Sequence, residues 1–204
     1  MRVPLPSQNA DGSYTIPRAG MMIDADGANG QTSLPVYAPK GMKSLDYLAN
    51  AGGPGDWYGI VTDTGKADGS PVVQLESHPA PGAYVSATSY EWPGFSRGDP
   101  ARYVDANAVT YIVLPSHWRA AARGIVLGCR ATVTDAHTGQ VVEAGVLDFG
   151  PKSKLGEASI ACARLFGVPC SPKDGGTADL RFVYQFWPGV PAEIDGVSYR
   201  LIAQ

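Results

Sequence analysis

The stretch GIVLGCRATVTDAHTGQVVEAGVLDFG, residues 124–150, decides the fold class. Two long runs rich in β-branched residues flank DAHTGQ, and within that turn Gly139 can adopt a positive φ, so the segment reads as a β-hairpin. Along its second strand Val142, Ala144, Val146 and Asp148 fall on one face, because strand side chains alternate with a period of two. The prediction is a row of small apolar side chains facing the interior, with a carboxylate at its end. Burial disfavours the charged form of such an acid and raises its pKa, so Asp148 is expected to hold a proton near neutrality.

The chain continues as LDFGPKSKLGEAS, residues 147–159, with a Gly-Pro turn and the lysine pair Lys152 and Lys154 between Asp148 and a second acid, Glu157. Ala158, Ala161, Cys162, Leu165 and Phe166 then recur at i, i+3, i+4, i+7 and i+8, the stripe of an amphipathic helix that Gly167 and Pro169 terminate. This places Glu157 in the first helical turn, where the helix dipole favours a charged carboxylate. Two carboxyls with pKa values pushed apart satisfy the logic of glycoside hydrolysis, one protonating the leaving oxygen and the other activating water or attacking the sugar. The same residues also have a purely structural use, Glu157 favouring a helix start and Asp148 accepting backbone bonds from the Gly150 turn. Spacing alone leaves both open.

Around this segment the chain is mainly β with few short helices. Its 204 residues, 44% hydrophobic and 17% charged, suit one domain, and 25 glycines with 17 prolines punctuate short β-prone runs. Such runs occur at WYGIVTD, PVVQLE, AYVSAT and VTYIVLP, and LRFVYQFWPG and VSYRLIAQ read as two closing strands. In KGMKSLDYLANAGG, Met42, Leu45, Leu48 and Ala49 recur at helical spacing before Gly52 and Gly53, predicting a short helix. Residues 1–20, with three prolines and little periodicity, are expected to form a surface arm, and residues 21–204 a single catalytic domain.

A net charge of −3 without a basic cluster gives no field to attract nucleic acid, and no apolar run reaches bilayer length. The first fifteen residues lack the apolar segment of a signal peptide. The three cysteines, Cys129, Cys162 and Cys170, have no zinc spacing; they read as buried thiols, or as one Cys162–Cys170 disulfide in an oxidising compartment. His78, His117 and His137 are scattered and carry no metal or triad role, and no GxSxG nucleophile motif is present.

Several blocks together resemble the glycoside hydrolase family 75 chitosanases: DWYGIVTDTGKADGSPVVQ, PGAYVSATS, RYVDANAVTYIVLP and LDFGPKSKLGEASIACARLFGV, preceded by the Asp-rich MMIDADGANG. The resemblance spans roughly residues 20 to 170. It implies an endo-acting hydrolase that cleaves β-1,4 links of chitosan with inversion, with the catalytic Asp on Asp148 and the catalytic Glu on Glu157. The strand, Gly-Pro turn and helix are also similar to the catalytic region of rare lipoprotein A, a peptidoglycan lytic transglycosylase. That similarity implies a six-stranded double-psi-like β-barrel with Asp148 projecting into an open substrate groove, as proton donor.

The resemblance also suggests a binding set. Asp24, Asp26 and Asp105 would suit a cationic glucosamine polymer, their structural use being turns and caps. Trp57, Tyr84 and Trp92 would stack on sugar faces unless they are core residues, and Lys66 and Gln74 match block positions that would hydrogen-bond hydroxyls. Two carboxylates and water suffice for the chemistry, so no metal or organic cofactor is expected. The expected partner is a polysaccharide, chitosan or the glycan of peptidoglycan, met outside the producing cell by a monomeric enzyme. The missing signal peptide and the acidic PAEIDG segment depart from the family pattern and leave a second expectation, a muramidase or lytic transglycosylase delivered as an antibacterial effector or phage lysin and held by an immunity protein. A non-catalytic glycan-binding barrel is the third.

Overall fold

The structure, a computed structural model, describes residues 6–118, 124–151 and 153–203. Residues 1–5 of the predicted arm and Lys152 of the lysine pair lie outside the described residues. The strands are β1 (Ser7–Gln8), β2 (Tyr14–Asp24), β3 (Gly52–Gly53), β4 (Asp56–Trp57), β5 (Tyr111–Pro115), β6 (Cys129–Asp135), β7 (Val141–Gly150), β8 (Glu157–Ser159), β9 (Thr177–Ile194) and β10 (Val197–Tyr199), with a single α-helix, α1 (Ile160–Leu165), among the described residues.

Six strands close a barrel in the order β2-β8-β5-β7-β6-β9, with β9 pairing back onto β2. The pairs β2–β8 and β5–β7 are parallel, which a simple meander cannot produce, and the other four are antiparallel. Closure leaves no free edge in the barrel itself. The predicted hairpin is β6–β7, with Arg130 opposite Gly145 and Thr134 opposite Val141. Its turn holds because Asp135 accepts from the His137 amide at 2.9 Å and Gly139 takes φ +77°.

The length of β9, 18 residues, lets one strand serve two neighbours: Phe186 faces both Tyr14 and Ala131, and Tyr184 both Ile16 and Val133. These residues fill one core with Met21, Ile112, Leu114, Val142, Ala144 and Val146. Trp118 and Tyr14 stack on Phe186 at 6.2 and 5.8 Å. Each such side chain taken from water contributes about 1.5–3 kcal/mol. Residues 14–20, expected in a surface arm, instead belong to β2, with Tyr14, Ile16 and Ala19 buried. Their alternation was masked by Pro17 and Arg18, where the pairing register with β9 shifts.

A second core lies on the outer side of the strands under the segment between β2 and β5, and includes Ala25, Tyr37, Trp57, Tyr90, Tyr111, Val113, Leu147 and Ile160. The runs expected there as strands form isolated bridges rather than continuous strands, Ile60 with Ser86, Thr62 with Pro71 and Val73 with Tyr84, joined by backbone bonds such as the Val61 amide to the Val85 carbonyl and the Val85 amide to the Val72 carbonyl. Side-chain amides occupy the backbone groups that a ladder would use: Asn29 donates to the Gly27 and Ser86 carbonyls and accepts from the Ser86 amide. The helix expected over 42–49 is reduced to a 3-10 turn at Leu48–Ala51, and Met42 is exposed. Its upstream residues are held by other partners, Leu45 and Asp46 donating to the Pro35 and Val36 carbonyls.

Candidate active site

β5 lies between the two strands that carry the predicted acids. Val113 on β5 is opposite Asp148 on β7 and, on its other side, opposite Glu157 on β8, so the three residues form one row across three adjacent strands. A one-residue irregularity creates the row: Ile112 faces Val146 but Val113 faces Asp148, leaving Leu147 as the extra residue. The Leu147 carbonyl accepts instead from the Tyr90 amide at 2.9 Å. The bulge removes Asp148 from the row of Val142, Ala144 and Val146, so the acid faces a cavity rather than the barrel core predicted from alternation.

Glu157 differs from expectation too. It lies in β8, with Met22 of β2 on one side and Val113 on the other, and α1 begins three residues later with Ser159 as its cap. The Ser159 hydroxyl accepts from the Cys162 amide at 3.2 Å and from the Tyr111 amide at 3.1 Å. Backbone pairing on both sides outweighs the helical periodicity of Ala158, so Glu157 is not in the first turn of the helix. In the stripe, Leu165 is exposed while Cys162 and Phe166 are buried. All three cysteines are free thiols.

The cavity, about 620 Å³, is walled by Asp24, Asp26, Asp148 and Glu157, with Tyr37, Asp46, Asn50, Tyr58 and Lys154 around them. A neighbouring cavity of about 440 Å³ shares Ile23, Lys154, Glu157 and Pro172 with it. Asp24 ends β2, and the turn that follows carries Asp26. One oxygen of each of Asp24, Asp26 and Asp148 lies within 4.8 Å of the others. Tyr111, fully buried on β5, donates its hydroxyl to Asp24 Oδ2 at 2.9 Å and to the Asp26 carbonyl at 3.1 Å. Asp26 accepts from the Ser86 hydroxyl at 3.2 Å. On Asp148, Oδ1 accepts from the Ser89 amide at 2.8 Å, from the Phe149 amide at 2.7 Å and, in a short bond, from the Ser89 hydroxyl. Glu157 Oε1 pairs with Lys154 Nζ at 3.1 Å.

Burial drives the acids toward their protonated forms, and their mutual repulsion adds to it. Asp148 is pushed up to about 7 by burial and then by the charge of Asp24, with the Ser89 and Phe149 donors opposing. Glu157 is pushed up to about 7 by burial and by Asp24, with Lys154 opposing. Asp24 is raised by burial, and Asp26 is raised well above the usual carboxylate range by burial and by Asp24, Asp148 and Glu157. Both predicted acids therefore move the same way, and Asp24 raises both; the separation expected from strand end against helix start is replaced by a difference in what opposes the rise, the Ser89 and Phe149 donors at Asp148 and the Lys154 ammonium at Glu157.

Of the predicted binding set, Asp24 and Asp26 join the two acids. The other members lie outside the cavity wall. Trp57 is buried against Tyr84, ring centroids 6.4 Å apart, and Trp92 packs on Tyr90 and Tyr199 at 5.2 and 5.1 Å. Gln74 is buried, donating to the Asn29 carbonyl at 3.0 Å and accepting from the Ala80 amide at 3.1 Å. Lys66 is an exposed turn residue whose carbonyl accepts from the Thr62 hydroxyl. Asp105 caps a turn, accepting from the Asn107 amide and the Thr32 hydroxyl. In five of these six, Trp57, Tyr84, Trp92, Gln74 and Asp105, the ring or polar atoms are engaged within the fold, whereas Lys66 is held through its backbone and its side chain is exposed. Tyr111, Ser89 and Tyr58 are the additions from the structure; only Tyr58, next to Trp57, left a trace in the sequence, as an aromatic pair before a Gly.

No helix among the described residues is long and apolar enough to cross a membrane. A scan against protein-family models and a search of the curated proteins both return no match for the chain.

Proposed function

We propose that the chain is a glycoside hydrolase that cleaves β-1,4 links of an amino-sugar polysaccharide, chitosan first, by an inverting mechanism with Asp148 as general acid and Glu157 as base. The observation that carries the reading is the Asp148–Val113–Glu157 row beside a carboxylate-walled cavity. Two strand spacings separate the acids at the backbone, about 9–10 Å. A backbone separation of that order leaves room for a water between the two carboxyls, which an inverting pair requires.

The assignment of roles follows from the neighbours. Asp148, beside Asp24, holds its proton and gives it to the leaving oxygen as the glycosidic bond breaks. Glu157, whose charged form the Lys154 ammonium favours, takes a proton from the water that attacks the anomeric carbon. Five acids around one cavity favour a substrate bearing ammonium groups, and Tyr58, 70% exposed on the cavity wall, offers a face for a sugar ring. The adjoining cavity at Glu157 gives room for further sugar units.

The test is incubation with chitosan and with purified sacculi, followed by mass spectrometry of soluble products and NMR of the first anomer released. Inverted reducing ends from chitosan are expected, and Asp148→Asn and Glu157→Gln should each lower turnover at least about 100-fold. Turnover retained in both variants rejects the reading. Anhydro-sugar ends from sacculi would replace it with a lytic transglycosylase, and binding without products with a glycan-binding barrel.

A further inference from the structure

The cavity holds more buried carboxyls than an acid and a base require, and Asp24 is the one held most firmly from outside the pair. Its Oδ2 accepts the Tyr111 hydroxyl at 2.9 Å and its Oδ1 the Asp26 amide at 3.1 Å, so both oxygens serve as acceptors. Burial raises Asp24 as it raises Asp148, but donors on both oxygens of Asp24 and the charge of Lys154 oppose that rise and favour its ionised form. On Asp148 the three donors converge on Oδ1, which leaves Oδ2 to carry a proton. One oxygen of Asp24 and one of Asp148 are within 4.8 Å of each other in a buried site, where two like charges repel strongly.

We infer that Asp24 is a positioning residue that keeps the proton on Asp148: locked by Tyr111 and the Asp26 amide, it is the negative charge that obliges its neighbour to stay neutral. The inference rests on the proposed role of Asp148 as acid, and it adds a reason for the buried Tyr111 hydroxyl. The groups around Asp148 and Asp24 are Asp26 from the turn after β2, Tyr111 from β5, Ser89 from the overlying segment, Glu157 from β8 and Lys154 from the loop before it, with Tyr37 and Asp46 farther along the wall. Lys154 is the cation of this set, and it is paired with Glu157. Its charge also reaches Asp24, where it favours the ionised carboxylate that acts on Asp148.

The experiment is an NMR titration of side-chain carboxyl carbons in the full chain labelled on Asp and Glu, with the Asp148 signal identified by its loss in Asp148→Asn. In Asp24→Asn the Asp148 midpoint should fall by about one to two units, since the neighbouring charge is gone. An unchanged midpoint overturns the inference. Tyr111→Phe keeps both carboxyls and removes only the hydroxyl: the Asp24 midpoint should rise and that of Asp148 fall as the proton moves between them, and no change in either also overturns it. The titration needs no substrate, so it decides the role of Asp24 even if chitosan is not cleaved. With turnover, the alkaline limb of kcat/KM should move to lower pH in Asp24→Asn by the same amount, a change that loss of packing alone would not produce.

Discussion

Lys154 Nζ lies 3.1 Å from Glu157 Oε1 inside the carboxylate cavity, and its charge opposes the burial that lifts Glu157 to about 7. Lys154→Met should therefore raise Glu157 further, leaving less of it ionised. The acid limb of the pH profile for chitosan cleavage should move upward by about one unit, with roughly tenfold loss below the limb and recovery at higher pH. Lys154→Arg, which keeps the charge, should leave the limb near its original place.

Tyr58 contributes an exposed ring to the cavity wall while its neighbour Trp57 is buried. Tyr58→Ala should raise KM for chitosan oligomers about 3- to 10-fold with little change in kcat, whereas Tyr58→Trp should preserve binding. The steady-state split between KM and kcat is the check. An equal loss in kcat would assign Tyr58 to the chemistry instead.

The raised acids make stability depend on pH. Asp148 and Glu157 move from ordinary values of 3.8 and 4.5 up to about 7, so between those limits the folded state binds protons that the unfolded chain has released. The stability this supplies is complete below the ordinary values and is lost as the pH rises through about 7. The double variant Asp148→Asn, Glu157→Gln should then melt higher than the parent at alkaline pH, with the gain shrinking toward acid pH. A few degrees is the expected scale, since about 1 kcal/mol corresponds to about 2–4 °C in a domain of this size. Melting curves at several pH values would show it.

Gly27 closes the turn that carries Asp24 and Asp26. It has φ +76°, and a Cβ there would stand 2.0 Å from the Val104 carbonyl oxygen. Gly27→Ala should cost about 3 kcal/mol or more, by combining left-handed strain with a backbone clash. Gly139→Ala, in the open hairpin turn at φ +77° with nothing within 4 Å, carries the strain without the clash and should cost less. Urea denaturation of both variants compares them.

What the sequence by itself determined follows from local periodicity. The β6–β7 hairpin, β5, the two closing strands and the burial of Asp148 near a strand end were all legible, because alternation and turn residues act within a few positions. The barrel class came instead from the similarity of the strand, Gly-Pro turn and helix to rare lipoprotein A, while Asp148 and Glu157 stood out in the sequence as two acids on either side of that turn. Only the tertiary structure decided that Glu157 is a strand residue, since two neighbouring strands from distant parts of the chain claim its backbone. It likewise decided that the bulge at Leu147 turns Asp148 toward the cavity, and that Asp24 and Asp26 arrive there while Asp105, Gln74 and Trp57 do not. The reason is that a side chain's partner is set by strand register across the barrel. Tyr111 and Asp24 are 87 positions apart in sequence yet share a hydrogen bond, and no local pattern encodes a contact of that span.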